Sequence, residues 1–168
     1  HSFIDVFSDF GIKSIPKAER QSQPQYESHR NGYYWNDHVR PSQKAQQHFD
    51  FDKKTAKKLR KLGFGMVNTH VNDGIIRGTG MLVGLQDQAS TPSIINSRTA
   101  QYWSFNRSQQ TRQSYPNSIM GKMALMRQVF NDASWYATQN KTQKDLSLEA
   151  FNQQQDLPKI FHAGNYLN

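Results

Sequence analysis

The chain has 168 residues, a length that suits one domain and hardly two. It carries 21 Lys and Arg against 13 Asp and Glu, and the resulting formal charge of +8 permits attraction to phosphates or acidic molecules without identifying a partner. Cysteine is absent, which excludes disulfide bonds and thiolate catalysis. Apolar runs such as "GMLVGL" are far shorter than the roughly 20 residues that cross a membrane, so no membrane span is predicted.

The first predicted element is a buried strand in the stretch "SFIDVFSDFG". Phe3, Ile4, Val6 and Phe7 are its apolar residues, and the segment turns polar at Asp9. A chain seldom begins inside an apolar strand, because a terminus needs slack before it enters a core. We therefore expect residues 1–168 to be either a single domain or a fragment of a larger protein.

A long polar loop insertion is predicted over residues 12–47, which are rich in Gln, Ser and Pro. Loops of this length inside compact domains are usually functional or disordered. The aromatic cluster Tyr33, Tyr34 and Trp35 forms a candidate binding loop, in the role of a lid or a docking surface. Rings that seal the loop onto its own domain are the alternative, and the pattern favours it.

A helix, a glycine and a strand are predicted next, in "FDKKTAKKLRKLGFGMVNTHV". Asp52 can cap a helix over residues 53–62, Gly63 ends it, and a strand covers residues 64–71. This order is half of a repeating α/β unit and favours a parallel sheet with helices outside it. The helix is strongly basic, but without interleaved aromatic residues a solvated face is favoured over a nucleic-acid interface.

Short strands and turns are predicted in "IIRGTGMLVGLQD" and "TPSIINSRTAQYWSFN". Glycines in the first of these segments match no phosphate-loop fingerprint and no lysine follows them, so we interpret them as turn and bulge positions. A long helix follows, with Pro116 in its first turn and an apolar stripe that is expected to pack on a sheet, formed by Ile119, Met123, Met126, Phe130 and Ala133. A shorter helix over residues 148–154 precedes a buried strand with a polar end, "KIFHAG".

Two histidines lie at the ends of apolar strands, His70 in "MVNTHVNDG" and His162 in "KIFHAGN". Ligands gather at the carboxyl ends of parallel strands, so Asp9, His70 and His162 are the candidate ligands of a divalent metal. Such an ion would lower the pKa of a water molecule enough to supply hydroxide near neutrality. The alternative is that each residue is a hydrogen-bonded polar group at a strand end, because their spacing carries no signature.

Several segments resemble the amidohydrolase superfamily. "SFIDVFSDFG" is similar to its first barrel strand, P-G-F-I-D-x-H-x-H-x-G. The later segments "LRKLGFGMVNTHVNDGIIRGTGMLVGL", "SYPNSIMGKMALMRQVFNDASWY" and "LPKIFHAGN" resemble, in that order, divergent imidazolonepropionase-like envelope proteins. The resemblance covers most of the chain, although no single motif is complete.

The resemblance implies an α/β fold, part of a (β/α)8 TIM barrel with extra short β-strands. A complete barrel takes about 250 residues, so this chain would supply the early part of one. The family uses one or two metal ions, with zinc as the expected ion here. Phe7 and Asp9 match the positions of two histidine ligands and His162 matches a ligand on a later strand, whereas His70 matches none. The resemblance to envelope proteins also implies a periplasmic or secreted location.

Two functional hypotheses follow. In the first, the chain belongs to a metal-dependent hydrolase of C–N bonds other than peptide bonds, with a decayed metal site here or no metal in this chain. Its partners would be a small amide-type substrate and either the remaining part of the barrel or a second copy of the chain. In the alternative, the barrel is a non-catalytic protein that binds a ligand or a partner. A nucleic-acid binder rests on charge alone and ranks last.

Overall fold

The computed structural model describes residues 2–18, 36–86, 93–139 and 145–163. Over these residues the chain is mixed α/β, and none of its described helices is long and apolar enough to cross a membrane. The strands are β1 (Phe3–Ser8), β2 (Phe64–Thr69), β3 (Ile76–Thr79), β4 (Met81–Gly84), β5 (Ile94–Asn96), β6 (Gln101–Ser104) and β7 (Lys159–His162). The helices are α1 (Lys53–Lys61), α2 (Ile119–Thr138) and α3 (Leu146–Asn152), with a 3-10 helix at Ala45–His48.

The strands form two small sheets, in the orders β1-β2-β4-β5 and β3-β6-β7. The β1–β2 and β6–β7 pairs are parallel, and the other pairs are antiparallel. The predicted α/β unit is confirmed, because α1 leads into β2 and β2 lies parallel to β1. The expectation of a parallel sheet throughout is wrong, since β4 and β5 extend the first sheet in antiparallel fashion.

Gly80 is the junction between the two sheets. It alone separates β3 from β4, which is too short a link to reverse the chain, so one bent segment pairs with β6 through β3 and with β2 through β4. Since both pairings are antiparallel, β1, β2, β6 and β7 all run in one direction. A Cβ at Gly80 would lie 2.4 Å from the Tyr102 ring and 2.9 Å from the Thr69 carbonyl oxygen, so only glycine allows this close approach.

Helix α1 forms as its sequence indicates. The Asp52 carboxylate accepts a hydrogen bond of 2.9 Å from the Lys54 amide, and Gly63 ends the helix at a φ of +93°. Ala56 is buried and Leu59 is half-buried, so both lie on the side of α1 that packs inward, whereas Leu62 is exposed.

Helix α2 differs from its prediction in two respects. It begins after the N-cap Ser118, so Pro116, which follows a cis peptide bond, lies before the helix rather than in its first turn. Its buried residues lie to one side of the predicted stripe: Lys122, Leu125, Met126, Val129, Ala133 and Tyr136. From the predicted stripe Met126 and Ala133 are buried, but Ile119, Met123 and Phe130 remain 36%, 41% and 37% exposed. The apolar arc of α2 is wider than the surface beneath it, and one flank stays in contact with solvent.

The second half of the predicted insertion packs against the sheets. Val39 bridges to Ile76 and Lys44 bridges to Thr79, both in parallel fashion. A further bridge between Ile12 and Phe49 draws the ends of the segment together. The cluster Tyr33 to Trp35 lies outside the described residues, so its role as a binding loop stays a prediction.

Gly78 offers a test of this packing. Its φ is +75°, and a Cβ there would lie 1.9 Å from the Gln43 carbonyl oxygen. We expect Gly78→Ala to reduce the free energy of unfolding by about 3 kcal/mol, because a strained backbone angle adds to a clash with the main chain. Chemical denaturation should measure the loss. Gly84→Ala is the matched control, since its Cβ would meet nothing closer than 3.6 Å; equal losses in both variants would contradict this account.

Candidate functional site

Four side chains from the co-directional strands form a cluster of rings, and all but Tyr102, the second residue of β6, lie at the carboxyl ends of their strands. They are Phe7 from β1, His70 after β2, Tyr102 from β6 and His162 from β7. The His70 and Tyr102 rings stack with their planes 3° apart and their centroids 3.9 Å apart. The Phe7 ring lies 4.3 Å from the His70 ring and 4.6 Å from the His162 ring. The structure therefore brings both strand-end histidines to one place, with a hydrocarbon ring between them.

Arg77 on β3 lies beneath this ring cluster and is almost completely buried. Its Nε donates to the Gly74 carbonyl oxygen at 3.0 Å, and one terminal nitrogen donates to the Asn72 side-chain oxygen at 2.7 Å and to His70 Nε2 at 3.2 Å. The other terminal nitrogen donates to Ser104 Oγ at 2.7 Å. Burial lowers the pKa of Arg77 to about 10, so the guanidinium remains charged at neutral pH.

His70 is held as a neutral imidazole by this arrangement. Burial, and then the charge of Arg77, lowers its pKa to about 3. Because Arg77 donates to Nε2, the remaining proton lies on Nδ1, a buried atom with no hydrogen-bond partner among the described residues. Burial also raises the pKa of Tyr102, whose hydroxyl donates to the Val6 carbonyl oxygen at 2.9 Å. Neither ring is placed to exchange protons with a ligand near neutrality.

The predicted ligands do not form a metal site by themselves. No three His, Asp or Glu side chains within the described ranges lie close enough to hold an ion. His70 already accepts from a cation, and Phe7 carries no donor atom. Asp9 and His162 are exposed and remain as two candidate ligands, fewer than the three that the protein supplies in catalytic zinc sites.

Asp9 lines a cavity of about 190 Å³ at the end of β1, together with Lys13, Asn72, Asp73 and Gln109 among others. Neither His70 nor His162 lines this cavity. The structure thus places Asp9 beside the polar loops rather than within the ring cluster.

A second buried polar cluster, centred on Asp73, escaped the sequence prediction. The Asp73 carboxylate accepts from Ser108 Oγ at 2.5 Å, from the Gln109 amide at 2.7 Å and from Gln110 Nε2 at 3.1 Å. The Ser108 amide donates to His38 Nδ1 at 3.0 Å, and burial lowers the pKa of His38 to about 4. Asp73 lies in the turn "NDG". Because aspartate is common in exposed turns, its presence there does not indicate that the side chain is buried.

The two buried histidines predict a stability that falls in mild acid. The folded-state pKa values of His38 and His70, about 4 and about 3, lie below the usual 6.5, so the unfolded chain binds more protons between these limits. Their contribution is complete above pH 6.5 and is lost as the pH falls towards 4. Each unit of difference is worth about 1.4 kcal/mol, so we expect the free energy of unfolding to drop by several kcal/mol.

Denaturation at a series of pH values should reveal this loss. Variants His38→Gln and His70→Gln lack one proton-binding group each, and their stability should depend less on pH in this window. An unchanged pH dependence in both variants would contradict the assignment.

Comparison with known proteins supports the fold at this site. No protein-family model and no curated protein matches the chain. The crystal structure of an amidohydrolase from Thermotoga maritima MSB8 is similar, with a TM-score of 0.60 and 19% identity. The match covers 96% of this chain and 44% of that one, so the chain spans less than half the length of the solved protein. The likeness is one of fold, and it extends over most of this chain.

Proposed function

We propose that this chain forms one side of the ligand-binding mouth of an amidohydrolase-like barrel, in a protein that hydrolyses C–N bonds of small amide-type molecules with the help of a divalent metal. The observation that carries the proposal is the convergence of Phe7, His70 and His162 at the carboxyl ends of three co-directional strands, with the Tyr102 ring of β6 stacked on His70. Active sites of α/β barrels are built at that end.

Within this proposal the chain shapes the site and contributes at most part of the metal centre. The donor set of the described residues does not fit a complete site, so further ligands have to come from other segments, and zinc is the ion that such a mixed His and carboxylate set suits.

The accessible groups of this chain have a defined role. His162 is the exposed ring of the cluster, and its stack on Phe7 fixes the plane of the imidazole. A planar amide group can lie against these two rings while the imidazole donates to or accepts from it. The neutral His70 and the un-ionised Tyr102 act as the rigid support behind them.

A non-catalytic binding protein is the second candidate. The specific observation in its favour is Phe7, a hydrocarbon ring between the two strand-end histidines, where the family resemblance would place a metal ligand. Such a protein would keep the ligand-binding mouth and lose the chemistry.

Metal analysis of the whole protein that contains this chain separates the two candidates. The hydrolase proposal predicts a stoichiometric divalent metal and turnover of small cyclic amides or imides. Asp9→Asn and His162→Gln should each reduce the metal content several-fold. His48→Gln, at the end of the 3-10 helix, is the matched control. A metal-free protein that binds amides without hydrolysing them would establish the second candidate instead.

The partner of this chain is proposed to be either the rest of the barrel or a second copy. β1 is an outer strand of the first sheet as described, and β7 is an outer strand of the second. Their exposed apolar side chains include Phe3, Ile4, Val6 and Phe161. Such edges invite pairing with another chain.

We therefore expect the 168-residue chain, produced alone, to self-associate in light scattering at micromolar concentration. Replacing Ile4 and Val6 together by Lys should shift it towards the monomer, whereas replacing the exposed Leu146 at the start of α3 by Lys is the control. A monodisperse monomer of the unmodified chain would contradict the proposal.

A further inference from the structure

A cavity of about 480 Å³ opens between the loops that follow β1 and β6. Its lining consists of Lys17, Arg107, Ser108, Gln109, Thr111 and Arg112, which are three cations, two hydroxyl residues and an amide. No carboxylate contributes to this lining among the residues that the structure describes. The volume falls within the range of roughly 300 to 1,000 Å³ that is typical of small-molecule sites.

Arg107 is held in a fixed orientation at this cavity. One terminal nitrogen donates to the Asn117 side-chain oxygen at 3.0 Å, and the other donates to the Gln113 carbonyl oxygen. These two bonds use two of the five N–H groups of the guanidinium, and each terminal nitrogen keeps a second N–H. A guanidinium that is anchored through neutral acceptors and keeps such donors is suited to bind an anion.

The Asp73 carboxylate is held by three donors, on Ser108, Gln109 and Gln110. Neither Lys17 nor Arg107 has an ion-pair partner in the described part of the chain. The charges of Lys17 and Arg107 are therefore available to a ligand.

The position of the cavity connects it with the ring cluster. Gln109 lines both this cavity and the smaller one that Asp9 and Asn72 line. Asn72 in turn accepts from Arg77, which contacts His70. A ligand that lies against the rings could extend past Asn72 and Gln109 towards the cations. Asn72, Gln109 and Lys17 all belong to loops that follow the carboxyl ends of strands.

We propose that this cavity binds the anionic group, a carboxylate or a phosphate, of the small molecule that occupies the mouth. The inference rests on the proposed function for the identity of the molecule, and on Lys17 and Arg107 for its charge. The expected ligand is thus a negatively charged amide-type compound rather than a neutral one.

Calorimetric titration of the whole protein with inorganic phosphate and with succinate tests this inference without reference to turnover. Saturable binding of either probe is expected, and the tighter probe identifies the anionic group. Lys17→Gln and Arg107→Gln should each weaken binding about tenfold, the loss that corresponds to one charge-assisted contact. Arg107→Lys keeps the charge but not the guanidinium and should give an intermediate loss.

Lys53→Gln is the matched control, because Lys53 is an exposed lysine at the start of α1, on a different element from the cavity. Absence of saturable binding, or an equal loss in this control, would overturn the proposal. Anion binding that depends on Lys17 and Arg107 in a protein that hydrolyses no amide would support the site while rejecting the hydrolase. Hydrolysis without such binding would do the reverse.

Discussion

The buried guanidinium of Arg77 is the interaction on which the rest of the strand-end structure depends. Removing an arginine from water costs several kcal/mol unless its donors are satisfied, and here every identified acceptor is neutral. Neutral acceptors stabilise a cation only when they are held in place. The Gly74 carbonyl oxygen, which accepts from both Arg77 Nε and Ser104 Oγ, is held by a backbone φ of +93° that suits glycine.

This arrangement ties the two sheets together at one end. Arg77 belongs to β3 in the second sheet, whereas His70 and Asn72 follow β2, a strand of the first sheet. The hydrogen bonds of Arg77 to both residues therefore link the two sheets. The Tyr102 ring closes the junction from above Gly80 and stacks on His70. The ring cluster is therefore not an independent feature, because the buried cation holds His70 and the Tyr102 ring occupies the space where Gly80 has no side chain.

Local signals predicted the elements well, and non-local contacts account for what they missed. The cap at Asp52 and the glycine at position 63 fixed α1, since both act within a few residues of the helix. The buried face of α2 depends on which strand it covers, which no helical period reveals. The sequence predicts that His70 lies at a strand end. It does not predict that Arg77, seven residues later among short strands and turns, donates a hydrogen bond to His70 Nε2.

The charge of Arg77 also bears on which ligands the strand ends can accept. A divalent cation near the free Nδ1 of His70 would meet repulsion of several kcal/mol from a guanidinium bonded to the same ring. An anionic group experiences the opposite effect, and the cations of Lys17 and Arg107 extend the same potential along the neighbouring loops. A family resemblance that points to metal ligands and a local field that favours anions are compatible only if metal and substrate charge occupy different sides of the mouth. On the proposed function, Asp9 and His162 would lie on the metal side of the mouth and contribute part of its ligands, while Lys17 and Arg107 lie on the side that receives the substrate charge.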